Sequence, residues 1–186
     1  MGIALTGRNP FFSRVILGAA LLLTSFASTV HAQFNAEAVK GEFVERFTRF
    51  TEWPTSSISA DTTEPFVVVI LGKCPFEQHI VDAFRKRRVR GRLPDVKVLP
   101  SGARIPKCHL LIIAKSESAR VSQIVSSLKG TPILTVANAK NFARKGVHIN
   151  LFEERGFVRF EVNLKAVRAA GLRISSKMLK HARIIE

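Results

Sequence analysis

The sequence predicts an α/β domain whose sheet is mixed, with parallel strands at its core, an antiparallel hairpin near its C-terminal end and helices on its faces. Three observations carry that reading. Phe66 to Leu71 (FVVVIL), His109 to Ala114 (HLLIIA) and Pro132 to Val136 (PILTV) are unbroken apolar runs of strand length, as strands covered on both faces require. Segments with a 3.6-residue apolar period separate them, and strand–helix–strand alternation builds a parallel sheet. After about residue 146 the period drops to two on both sides of a glycine-containing turn, which is the pattern of a β-hairpin.

The elements follow in order. Val39, Phe43, Phe47 and Phe50 fall on one face of a helix expected from about Ala36 to Thr51. Pro54 stops it and biases Trp53 away from helical dihedrals. Thr55 to Glu64 is polar and aperiodic, so it reads as a loop. The strand Phe66 to Leu71 ends at Gly72, and Pro75 opens a helix bearing Phe76, Ile80 and Phe84. Val96 to Leu99 is a short strand and His109 to Ala114 a buried one. Ser116 is placed to cap a helix striped by Val121, Ile124, Val125 and Leu128, with Gly130 just past its end. After the strand Pro132 to Val136, Val147, Ile149 and Leu151 alternate with His148, Asn150 and Phe152, and beyond the turn 153–156 Val158, Phe160 and Val162 alternate with Phe157, Arg159 and Glu161. Two short helices finish the chain, Leu164 to Ala170 stopped by Gly171, and Ser176 to Ala182 capped by Ser175.

The first thirty residues have a different grammar. Arg8 and Arg14 precede an apolar run of about 13 residues, Val15 to Ala27, which closes on Val30-His31-Ala32. A basic region, a short apolar stretch and a small residue before the cut make a secretory signal peptide. The apolar run falls short of the roughly 20 residues of a spanning helix, so the rival reading, an uncleaved anchor, is disfavoured. Cleavage between Ala32 and Gln33 is expected to divide the chain into a signal peptide, 1–32, and one exported domain, 33–186. Export leaves 27 basic residues against 14 acidic ones, a net of +13. In an exported protein such charge points to anionic lipid, acidic envelope polymers or an acidic protein partner rather than to nucleic acid. The densest basic stretch, Arg85 to Arg92 (RKRRVRGR), reads first as a solvated helix end and loop, and second as a contact for headgroups or an acidic surface.

No catalytic or cofactor constellation stands out. Gly72-Lys73-Cys74-Pro75 lacks the glycines of a dinucleotide loop and is not a P-loop. The histidines His79, His109, His148 and His181 are scattered without zinc-ligand spacing. No metal, no cofactor and no enzymatic activity are expected.

Several stretches together resemble one known family. They are FTRFTEWP, the strand followed by LGKCPF, CHLLII, GTPILTV, NFARKGVHINLF and, most characteristic, FVRFEVNLKAVRAAGLRISSKML, spanning about Ala36 to Ala182. The chain is similar to the YfiR-like periplasmic proteins. That resemblance implies a Rossmann-like α/β fold. It also implies a regulator that binds and represses the periplasmic domain of an inner-membrane diguanylate cyclase, in cyclic-di-GMP signalling. An outer-membrane lipoprotein would titrate it off, and a homodimer is an expected form.

Members of the family use disulfides, and an even cysteine count in an oxidising compartment raises the same question for Cys74 and Cys108. The predicted topology resists the pairing. Cys74 follows the C-terminal end of one strand and Cys108 precedes the N-terminal start of a parallel one, roughly 15–20 Å away at ~3.3 Å per residue. Bridged Cα atoms lie within about 7 Å. The family's bridge, moreover, places its first cysteine inside the strand, where this chain has Val68 or Val69. The pair stays open between bridged, free and intermolecular. A free Cys74 at a helix N-terminus would have its thiolate favoured, a candidate redox position.

Two surfaces are candidates for a partner. Trp53 stands at a helix end before a loop, and tryptophan is enriched at binding hot spots. Phe157, Arg159 and Glu161 share one strand face, with Asn163 and Arg173 flanking the helix that follows. The Phe43, Phe47, Phe50 stripe reads as core. The alternatives to a repressor are a ligand-sensing module, using the crevice at the strand ends near Gly72 to Phe76, and a thiol-redox protein.

Overall fold

The computed structural model describes residues 36–58, 61–85 and 87–185. The expected signal peptide, 1–32, and its expected cut between Ala32 and Gln33 lie outside the described residues.

A helix over 36–49 (α1) opens the domain, followed by a two-residue strand Thr51–Glu52 (β1). Phe66–Leu71 (β2), the helix Glu77–Arg85 (α2), Pro94–Leu99 (β3) and Leu110–Ile113 (β4) come next. The chain continues with Val121–Ser127 (α3), Leu134–Ala137 (β5), Ile149–Glu154 (β6) and Phe157–Asn163 (β7). Leu164–Ala169 (α4), Arg173–Ile174 (β8), Ser176–Leu179 (α5) and Arg183–Ile185 (β9) close it.

Seven strands form one sheet in the order β3-β2-β4-β5-β6-β7-β9. The pairs from β3 to β6 are parallel, β6 and β7 are antiparallel, and β9 returns parallel to β7. β1 and β8 make a separate antiparallel ribbon. This is the mixed α/β architecture that the apolar runs predict, with three additions. β1, β8 and β9 are two or three residues long and carry no periodic signature of their own.

The unbroken β-branched runs are explained by two cores. Val68 and Ile70 of β2, with Leu110 and Ile112 of β4, pack on one face with α1 and α2 residues such as Phe47, Ile80 and Phe84. Val69, Leu71, Leu111 and Ile113 point the other way, onto Val121 and Ile124 of α3 and onto Phe142. Each alternate side chain therefore has an apolar layer to meet.

Two helix details bear on the faces. Gly41 of α1 sits against α2 so closely that a Cβ there would stand 2.6 Å from His79 Cβ and 2.7 Å from its carbonyl carbon. Ser116 does not cap α3, whose N-terminal flanking residue is Arg120 with no side-chain cap; Ser116 lies in a 3₁₀ turn, and its Oγ accepts a bond from Lys73 N at 3.0 Å. The hairpin turn is tighter than expected. Arg155 and Gly156 carry φ of 53° and 79°, the paired positive values of a type I′ turn.

Candidate partner-binding surface

The hairpin projects its turn and one sheet face away from α1. The register Glu154↔Phe157, Phe152↔Arg159 and Asn150↔Glu161 puts these six side chains on a common face. Phe157 is 66 % exposed, the most exposed large apolar residue of the described chain, and Arg159 beside it is also exposed. Arg183 reaches in from β9. Its Nη2 donates to Glu154 Oε1 at 2.7 Å, and its guanidinium lies 4.3 Å from the Phe152 ring centroid. Glu161 is tethered, since its Oε1 accepts from Asn150 Nδ2 at 3.0 Å. The surface is an aromatic-and-arginine band with two carboxylates partnered along its border.

The other predicted contact residues separate from this band. Asn163 belongs to the architecture: Oδ1 accepts from Ala166 N at 2.8 Å to cap α4, and Nδ2 donates to Ala143 O at 2.8 Å. Arg173 is exposed, but on the β1–β8 ribbon opposite Glu52. Trp53 is a core residue, 7 % exposed, edge-on to Phe66 at 5.5 Å and beneath the Arg90 guanidinium at 5.6 Å. Its placement as a surface anchor is thus corrected, because β1 pairing with β8 folds the chain after α1 back over the sheet. Its Nε1 is buried with no acceptor among the described residues.

Cys74 and Cys108 are both free and buried, and they belong to cores on opposite faces of the sheet. Burial pushes the Cys74 thiol up to about 11, outweighing the backbone bond at Phe76 that favours the thiolate. Burial alone pushes Cys108 up to about 12. The expectation of a helix end favouring a Cys74 thiolate fails for this reason: desolvation of the anion is the larger effect.

The basic run is built into the fold. Arg87 Nη1 donates to Glu45 Oε2 at 3.2 Å, Arg88 Nη1 to Gly91 O at 3.0 Å and Arg90 Nη2 to Thr51 O at 3.1 Å. Arg92, 1 % exposed, donates to Glu64 O at 3.0 Å. Glu45 is equally buried and also takes Arg49, Nη2 to Oε2 at 2.7 Å. These bonds tie the loop after α2 to α1, to β1 and to the segment before β2, while Arg85, Arg87, Arg88 and Arg90 stay exposed.

At the crevice near Gly72 the chain packs tightly around the glycine itself. β2 and β4 are the strands between which the chain order reverses, where such folds bind ligands. There Gly72, at φ 86°, packs so tightly that a Cβ would collide with Ser116 Oγ and stand 2.9 Å from Glu117 Oε1. The Glu117 carboxyl is buried beneath, its Oε2 3.3 Å from Arg120 Nη1.

A feature the sequence did not single out lies on the opposite side of the hairpin. Phe43, Phe47 and Phe160 cluster with ring centroids 5.1–5.8 Å apart, flooring a groove of about 480 Å³ between α1, β7 and α5. Its parts lie over a hundred residues apart in the chain, which is why no local pattern announces it. Among the described residues no group of three histidines, cysteines or carboxylates comes together as a metal site, and no helix is long and apolar enough to cross a membrane.

Comparison with known proteins agrees with this architecture. No curated protein matches the chain. A solved structure, described as the ABC domain in complex with L-Trp from Streptococcus pneumoniae, is similar at a TM-score of 0.53 and 10 % identity. The similarity covers 76 % of this chain and 60 % of that protein's, and at that identity it speaks to the fold alone. Residues 37–183 match the family DUF4154, described as YfiR/HmsC-like. That match spans nearly the whole described domain, so the chain belongs to the YfiR/HmsC-like family, which implies a periplasmic regulator of diguanylate cyclase signalling.

Proposed function

We propose that this protein is exported by a signal peptide cut between Ala32 and Gln33, and that it represses an inner-membrane diguanylate cyclase by binding the cyclase's periplasmic domain. The observation that carries the reading is the family match over residues 37–183. The hairpin face supplies a surface suited to the task. An exposed phenylalanine beside arginines is the composition of a binding hot spot, and a net charge of +13 favours fast encounter with an acidic partner. Phe157 and Arg159 make the contact and Glu161 holds the register. An outer-membrane lipoprotein competes for the repressor and releases the cyclase, and the repressor works as a homodimer, which sedimentation of the mature protein checks. Repression here is a binding function that requires no catalytic group.

The test is deletion of the gene in a strain that encodes a cyclase with a periplasmic sensor domain, followed by measurement of cyclic-di-GMP. The proposal expects a rise that the intact gene in trans reverses. An unchanged level in such a strain counts against it.

A further inference from the structure

The groove between α1, β7 and α5 lies on the other side of β7 from the hairpin band and shares only Arg159 with it, and its composition is one-sided. Its walls and floor are apolar: Phe43, Phe47 and Phe50 from α1, Val158 and Phe160 from β7, and Met178 from α5. Its rim is basic, with Arg46, Arg159, Lys177 and His181 and no acidic residue among the groove's lining. All four of these rim residues are exposed, so their charged ends stand at the mouth. Among the described residues none of the four forms an ion pair, whereas Arg49, Arg87 and Arg183 all do.

Volume and charge together select the occupant. About 480 Å³ lies within the ~300–1,000 Å³ range of small-ligand sites. A protein partner would need about 800 Å² on its own side, far more than one groove of ten lining residues offers. A second copy of this chain would bring its own positive charge to a positive rim. A neutral apolar ligand would leave the rim cations without a counter-charge. From these observations we infer that the groove binds a small anionic amphiphile: an apolar tail laid on the phenylalanine floor and one carboxylate held at the Arg46, Arg159, Lys177 and His181 rim. The aromatic rings supply area and shape, and the rim supplies the sign selectivity that the tail lacks. Arg159 touches this groove and also belongs to the hairpin strand, so an occupied groove would draw its guanidinium toward the ligand. The inference does not depend on the identity of any protein partner.

Calorimetric titration of the mature protein with dodecanoate tests it, beside dodecyltrimethylammonium of equal tail length and opposite charge, both kept below their micelle-forming concentrations. Dodecanoate is expected to bind saturably at one site and the cation at least tenfold more weakly. Reversing the mouth with Arg159→Glu and Lys177→Glu is expected to weaken dodecanoate at least tenfold. Reversing two exposed charges that do not line the groove, Arg104→Glu and Lys140→Glu, gives the same change in net charge and should leave affinity within about twofold. All variants are checked by circular dichroism. Equal binding of the two amphiphiles, equal losses in the two reversal variants, or no dodecanoate binding at all would overturn the assignment.

Discussion

His148 sits where a charge is hardest to accommodate, and this sets a pH dependence that can be worked out in advance. Its Nδ1 accepts a hydrogen bond from Thr135 N at 3.1 Å while its backbone N–H donates to Thr135 Oγ1 at 2.9 Å. Burial lowers its pKa from the ordinary 6.5 to about 4. The folded state therefore holds the imidazole neutral over a range in which the unfolded chain takes up a proton. Stability is complete above about pH 6.5 and is lost as pH falls toward 4. Between those limits the slope approaches ~1.4 kcal/mol per pH unit, so taking the protein from pH 7 to pH 5 costs about 2 kcal/mol through this residue alone. The matching perturbation is His148→Asn, whose side-chain oxygen can take the bond from Thr135 N without titrating. Urea unfolding of both proteins at pH 7 and pH 5 isolates the effect. Titration of His109, also lowered by burial, is common to both and cancels in the difference. The wild type should lose about 2 kcal/mol more than the variant on acidification. Equal losses, within about 0.5 kcal/mol, would refute the argument that His148 is held neutral.

Other consequences of the packing are open to direct measurement. Gly41→Ala drives a methyl into the His79 backbone at the α1–α2 crossing and should cost about 1–3 kcal/mol by thermal or urea unfolding; a loss under 0.5 kcal/mol would mean the helices separate freely. Glu45→Gln keeps the shape but removes the anion that Arg49 and Arg87 share, with an expected loss of about 2 kcal/mol. Disulfide-exchange reagents at pH 8 should react slowly with the native protein and report two thiols on denaturation, because both are buried and raised to about 11 and 12. Two fast-reacting native thiols, or none after denaturation without reductant, would contradict the free, buried pair.

How much of this was legible in the sequence depended on how local the cause was. FVVVIL declared a strand covered on both faces because its side chains meet both cores, and Phe66–Leu71 is the strand observed. Ser175 capped α5 as its position suggested, accepting from Lys177 N. Ser116 had the same local credentials, yet a bond to Lys73, 43 residues away, took its hydroxyl. Trp53 looked like a surface anchor because nothing nearby foretold the β1–β8 ribbon that buries it. The arginine run is exposed at Arg85, Arg87, Arg88 and Arg90 as a solvated stretch should be, but the anchoring of Arg87 was not legible, because Glu45 lies 42 residues upstream. The groove is the extreme case: Phe43 and Met178 carry ordinary core signatures, and only the fold brings them together beneath a ring of cations.

The central claim, repression of a diguanylate cyclase through the hairpin face, is tested most directly by complementation. A deletion strain would receive either the wild-type gene or one carrying Phe157→Asp with Arg159→Glu, and cyclic-di-GMP would be measured at equal periplasmic protein levels. Phe157 and Arg159 are exposed, so the double variant should fold and be exported normally. The account predicts that the wild type returns cyclic-di-GMP to its parental level while the variant leaves it raised. A variant that restores repression as fully as the wild type would contradict it.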